Sequence, residues 1–144
     1  MLSHNSIIKE FPSLFRRAGD HMSFGGFDCG PGWLTLVRVA CLSIDWERNR
    51  AQDKIDRGVK AGVSPTVEEL QATYDETVWP AIAQIKEKYG TLRFYADHTT
   101  DREECFVEFA ETLSGFICEV CGAPGIQRSG SWIKTTCDEH TKTD

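Results

Sequence analysis

The chain has 144 residues, with 16 Lys and Arg against 22 Asp and Glu, and six cysteines. Its length suits one domain with a real core, and 40% apolar with 26% charged residues excludes a disordered composition. A net charge of −6 argues against a surface that grips phosphate backbones throughout, and no apolar run approaches the roughly 20 residues of a membrane span. The N-terminal MLSHNSIIKEF shows no basic stretch leading into a long apolar run, so the expectation is a cytoplasmic protein. Its cysteines are then free thiols or metal ligands rather than disulfides.

Over residues 7–17, Ile7, Ile8, Phe11, Leu14 and Phe15 fall on one stripe at helical spacing, interrupted at Pro12. Residues 23–32, SFGGFDCGPG, hold four glycines and a proline and are predicted to form a tight loop. Pro31 and Gly32 open a long helix, with Trp33, Val37, Ala40, Cys41 and Ile44 on its buried face. It continues as a mixed-charge extension to a stop at Gly58 and Gly62. Thr66 and Glu69 have capping-box spacing at the head of a helix through Val67, Leu70 and Tyr74 to about Val78.

TLRFYAD alternates in strand fashion, with Leu92, Phe94 and Ala96 on one face and Arg93 and Tyr95 on the other. This predicts a strand at 91–96, with 82–88 as its hairpin partner across Gly90. Thr100 caps an amphipathic helix from Asp101 to about Leu113, expected to be buried through Phe106, Phe109, Ala110 and Leu113. Six acidic residues against Arg102 give residues 97–111 a local charge of −5, most of the charge of the whole chain.

The most specific pattern is C-x2-C-x15-C-x2-H, formed by Cys118, Cys121, Cys137 and His140. Two intervening residues let one tight turn aim both ligands of a pair at a common ion. The intervening stretch reads as a hairpin, Ile126 to Arg128 and Trp132 to Thr136 around Ser129-Gly130, that brings the two pairs together. Three thiolates and one imidazole complete a tetrahedral Zn2+ shell of the closed, structural kind, with Asp138 and Glu139 as alternatives to His140. A redox CxxC pair leaves the matching Cys-x-x-His unexplained.

Elsewhere, Cys29 lies two residues before a helix start, where a thiol can become nucleophilic, with His21 nearby. No third, orienting group accompanies them, so the reading is a buried thiol. Cys41 and Cys105 read as core, and His4 and His98 as surface groups. There is no His-Asn-His nuclease set, P-loop, GxGxxG or GxSxG pattern, and the chain is read as not an enzyme.

The order KEKYGTLRFY (86–95), an acidic helix, CEVCGAPG (118–125) and CDEH (137–140) resembles uncharacterised small zinc-ribbon proteins encoded by bacteriophages and prophages. The resemblance spans about residues 79–140, with Gly32-Trp33-Leu34 as a weaker shared feature. It implies a bacterial host cytoplasm and a protein that binds host machinery, such as a CRISPR effector or another host defence component.

The sequence therefore predicts an α+β fold: a small helical body with a short sheet over 1–115, and a C-terminal zinc ribbon over 116–144 in one compact unit. The expected function is a non-catalytic interaction protein, with Glu103, Glu104, Glu108 and Glu111 as the face for a host protein. The alternative is a nucleic-acid-binding zinc protein using Lys86, Lys88, Arg93, Arg128, Trp132 and Lys134.

Overall fold

A computed structural model of the chain describes residues 1–74 and 79–141. The fold is α+β, with helices α1 (His4–Glu10), α2 (Leu34–Lys60), α3 (Val67–Tyr74) and α4 (Asp101–Ser114). Strands β1 (Phe27–Asp28), β2 (Ala81–Lys88) and β3 (Thr91–Asp97) form one sheet, and β4 (Ile126–Arg128) pairs with β5 (Lys134–Thr136) in a second.

Each helix start has a local cause. The Ser3 hydroxyl accepts from the Ser6 amide and Ser6 answers to Ser3, so α1 begins ahead of the predicted stripe and ends at Phe11, before Pro12. A 3-10 turn over Pro31–Trp33 leads into α2, and Pro31 needs no amide partner there. Thr66 and Glu69 form the expected reciprocal pair, as do Thr100 and Glu103. The expected continuation of α3 over 75–78 lies outside the described residues. Gly58 does not stop α2, which runs on to Lys60 and turns at Gly62.

One continuous core holds the body together. It joins Ile7, Phe11, Leu14 and Phe15 to Trp33 of the 3-10 turn, to Val37, Cys41 and Ile44 of α2, to Ile82, Ile85, Leu92 and Phe94 of the sheet, and to Val107 and Ala110 of α4. Burying each such aliphatic side chain contributes roughly 1.5–3 kcal/mol relative to exposing it. The hairpin β2–β3 forms as expected, with Lys86 opposite Arg93 and Gln84 opposite Tyr95. The loop reading of 23–32 needs correction, because Phe27 and Asp28 pair in parallel with Ile85 and Lys86.

The buried face of α4 also needs correction. Phe106 and Ala110 pack inward as expected, but Phe109 is 69% exposed. The inward positions are Glu103, Val107, Ala110 and Ser114. Two polar side chains of α4 serve the outer edge of β3: Ser114 Oγ accepts from the Leu92 amide and Glu111 Oε1 from the Phe94 amide, each at 2.8 Å. That arrangement closes a strand edge that would otherwise stand unpaired.

Candidate metal centre

The four candidate ligands come from two tight turns at the open end of the β4–β5 hairpin, one ahead of β4 and one just after β5. In the first, the Cys118 amide donates to the Ala123 carbonyl at 2.7 Å and the Gly122 amide donates back to the Cys118 carbonyl at 2.9 Å. Gly122 sits at φ +81°, a left-handed conformation that glycine adopts without penalty. In the second, a single 3-10 turn over Asp138–His140 places His140 three residues after Cys137, on the same side.

Cys118, Cys121, Cys137 and His140 are close enough to hold a metal ion, all four donor atoms lying within 4.8 Å of one another. Cys121 Sγ is 3.8 Å from Cys137 Sγ, and His140 Nδ1 is 3.2 Å from Cys137 Sγ and 3.7 Å from Cys118 Sγ. A tetrahedron with metal–sulfur bonds of about 2.3 Å has edges of about 3.8 Å. A disulfide needs its sulfurs about 2.05 Å apart, and all six cysteines are free. Burial works against the Cys118 thiolate, but the amides of Cys137, Cys121 and Val120 outweigh it and pull the thiol down to about 6. The Ala123 amide favours the Cys121 thiolate, yet desolvation and the neighbouring sulfurs of Cys118 and Cys137 leave that thiol raised.

The centre is built into the body. The Gly32 amide donates to the Glu119 carbonyl at 2.7 Å, the Gly30 amide to Glu119 Oε1 at 3.0 Å, and Trp33 Nε1 to the Ile117 carbonyl at 2.8 Å. The first turn therefore rests directly on the start of α2. Lys134 Nζ lies 3.0 Å from both Glu119 Oε2 and Glu87 Oε2, joining the metal turn, β5 and β2 in one ion triad. Desolvation opposes both charges of the Lys134–Glu87 pair. It is outweighed for Lys134 by Glu119 and Glu87, which raise the ammonium, and for Glu87 by the Gly90 amide and Lys134, which lower the carboxyl. Glu119 is buried and central here, and sequence reasoning passed over it. Its one sequence signal is its place between the two cysteines of a CxxC.

The other expected site residues fall in different places. Glu103 is 2% exposed, with Arg48 Nε 2.9 Å from its Oε1, so it faces inward. Glu111 caps the β3 edge, while Glu104 and Glu108 are exposed. Of the basic set, Arg128 is paired with Asp138 and Lys134 is held by two carboxylates. Lys86, Lys88 and Arg93 make no ion pair among the described residues, and Trp132 is exposed. Cys29 is buried, and desolvation together with Glu119 and Asp28 pushes its thiol up to about 12, which holds it protonated at neutral pH. The histidine near it is His4, whose Nε2 donates to the Cys29 carbonyl at 2.9 Å, while His21 is exposed. Cys41 is buried as expected, whereas Cys105 is exposed.

An open groove of about 1050 Å3 runs between the Gly30–Pro31 loop, the metal turn and the tip of the hairpin, with Trp132 on its rim. No described helix is long and apolar enough to cross a membrane. Comparisons with protein-family models, with curated proteins and with solved structures found no match for the chain.

Proposed function

We propose that this chain is a non-catalytic interaction protein, shaped by a structural Zn2+ in a C-terminal zinc ribbon, that docks onto a basic protein surface through the outer face of α4. The observation that carries this reading is the composition of that face. Beside Glu104 and Glu108 it presents Phe109, and Phe116 follows just past the helix end, the two rings being 69% and 65% exposed. Large exposed rings contribute nothing to this core, and at an interface aromatic side chains supply much of the affinity. Flanking carboxylates speed encounter with a basic partner and discriminate against acidic ones.

Three cysteines and one histidine at tetrahedral separations support zinc, because that donor set fills all four positions and leaves none for a substrate. Cys29 held as a buried, protonated thiol supports a non-catalytic role. Free cysteines throughout fit a reducing bacterial cytoplasm. The resemblance to phage and prophage proteins supports a partner among host proteins, and a CRISPR effector, with its basic nucleic-acid channel, has the surface that an acidic, aromatic helix fits.

Elemental analysis of the gently purified chain tests the metal, with one zinc per chain expected and a zinc-free folded chain overturning it. The partner is tested by affinity capture from a bacterial host, comparing the wild type with a variant carrying Glu104→Lys, Glu108→Lys and Phe109→Ser. A saturable partner that the folded variant fails to retain supports the reading. Identical recovery by the two sinks it.

A further inference from the structure

The three-stranded sheet has one face in the core, bearing Ile82, Ile85, Leu92 and Phe94. Its other face carries Lys86, Lys88, Arg93 and Tyr95, with Tyr89 at the hairpin tip. Lys86 stands directly opposite Arg93, and like charges so placed repel. Asp28 is in register beside Lys86, yet none of the three cations forms an ion pair among the described residues. Most other arginines of this acidic chain are matched to a carboxylate, Arg17, Arg38, Arg48, Arg102 and Arg128 among them. The face is a strip of unneutralised positive charge.

Its two rings are equally unexplained by folding. Tyr95 and Tyr89 are exposed, with Lys86 Nζ 5.7 Å from the first ring centroid and Lys88 Nζ 5.4 Å from the second. Tyr89 sits at φ +53°, ahead of Gly90 at +77°, in a two-residue turn that asparagine or glycine fits better. A tyrosine held in this strained conformation is a candidate for a functional side chain.

We propose that this open sheet face binds single-stranded nucleic acid, the tyrosine rings stacking on unpaired bases while Lys86, Lys88 and Arg93 contact phosphates. Stacking accepts any base and requires that it be unpaired, which favours a single strand over a duplex. An acidic protein segment would neutralise the cations as well, and polyglutamate stands for it in the test below.

The test is fluorescence anisotropy with labelled fifteen-nucleotide oligo(dT) and oligo(U), a duplex of equal length, and polyglutamate, using the full metal-loaded chain. Saturable binding to one or both single strands is expected, at least about tenfold tighter than to duplex. Which strand binds tighter distinguishes DNA from RNA as the source. Three phosphate contacts predict an affinity loss of about twentyfold between 50 and 200 mM salt. Tyr95→Ala should weaken binding by roughly five- to a hundredfold while Tyr95→Phe retains it, and Lys86→Gln with Arg93→Gln should flatten the salt dependence. Lys88→Gln, at an exposed position, gives the same reading if the double variant fails to fold. No saturable single-strand binding at about 100 μM protein overturns the proposal, as does polyglutamate preference or affinity indifferent to Tyr95→Ala.

Discussion

At Gly32 the turn that carries Cys118 and Cys121 packs backbone to backbone against the start of α2. A Cβ built there would lie 2.1 Å from the Cys118 carbonyl oxygen and 2.5 Å from the Gly122 amide nitrogen, both of them backbone atoms that no rotamer change can move. Gly32→Ala must therefore push the turn off the start of α2, and the expected destabilisation is about 3 kcal/mol with weakened metal retention. Gly130→Ala is the control, since its Cβ would meet nothing within 4 Å, and its effect should stay within about 0.5 kcal/mol. Denaturant titration of both variants with zinc determination checks the pair. Glu103 makes a second case at this scale. Removing it in Glu103→Ala strands Arg48 in a mostly buried site and undoes the cap on Thr100, for an expected loss of about 3 kcal/mol.

Among the elements, the β2–β3 turn and α4 both carry exposed rings, with different expected costs of removal. Tyr89→Asn relieves a left-handed tyrosine and should raise stability by about 0.5–1 kcal/mol in a denaturation series, while costing whatever binding Tyr89 provides. On α4, Phe109→Ser should be neutral to stability within about 0.5 kcal/mol, whereas Val107→Ala should cost about 2 kcal/mol, and thermal melts of the two separate the faces. The misplacement of Phe109 shows how far sequence reaches. Periodicity found the helix and its cap, but it assigns the inner face to apolar residues. Here Glu103 is drawn inward by Arg48, and Ser114 and Glu111 are drawn to unpaired amides of β3. Those partners lie 55, 22 and 17 residues away, so no local pattern contains them. β1 escaped notice for the same reason, being two residues that become a strand only by pairing with β2. The Cys/His cluster was legible because each of its pairs is set by a turn of four residues. Glu119 was not, because its roles depend on Gly30 and Lys134.

For the molecule as a whole, the metal module is a three-residue-by-three-residue hairpin, too small to stand alone in water. Its attachments are the Glu119 contacts with Gly30 and Gly32, Trp33 on Ile117, Thr135 Oγ donating to the Gly90 carbonyl, and the ion triad at Lys134. The Glu87 carboxyl is lowered by folding, so its contribution is full above the ordinary value of 4.5 and is lost as pH falls through the lowered one. Lys134 is raised, so its contribution is full below 10.5 and is lost as pH rises through its higher value. The triad therefore persists across neutral pH, and Glu87→Gln should lessen the acid limb of the stability profile without changing the neutral plateau's shape. The proposed Zn2+ would act differently, because its binding free energy and the folding of the module would be one equilibrium. Chelation should leave α1, the middle of α2 and β2–β3 protected, since their core contains none of the four ligands. Exchange of amide hydrogens should accelerate over 117–136 and also at 30–33, where the α2 start depends on Glu119 and Ile117. The melting temperature should fall, and zinc added back should restore both. Fast exchange confined to the module, with 30–33 unchanged, would show that the docking contacts do not couple the two.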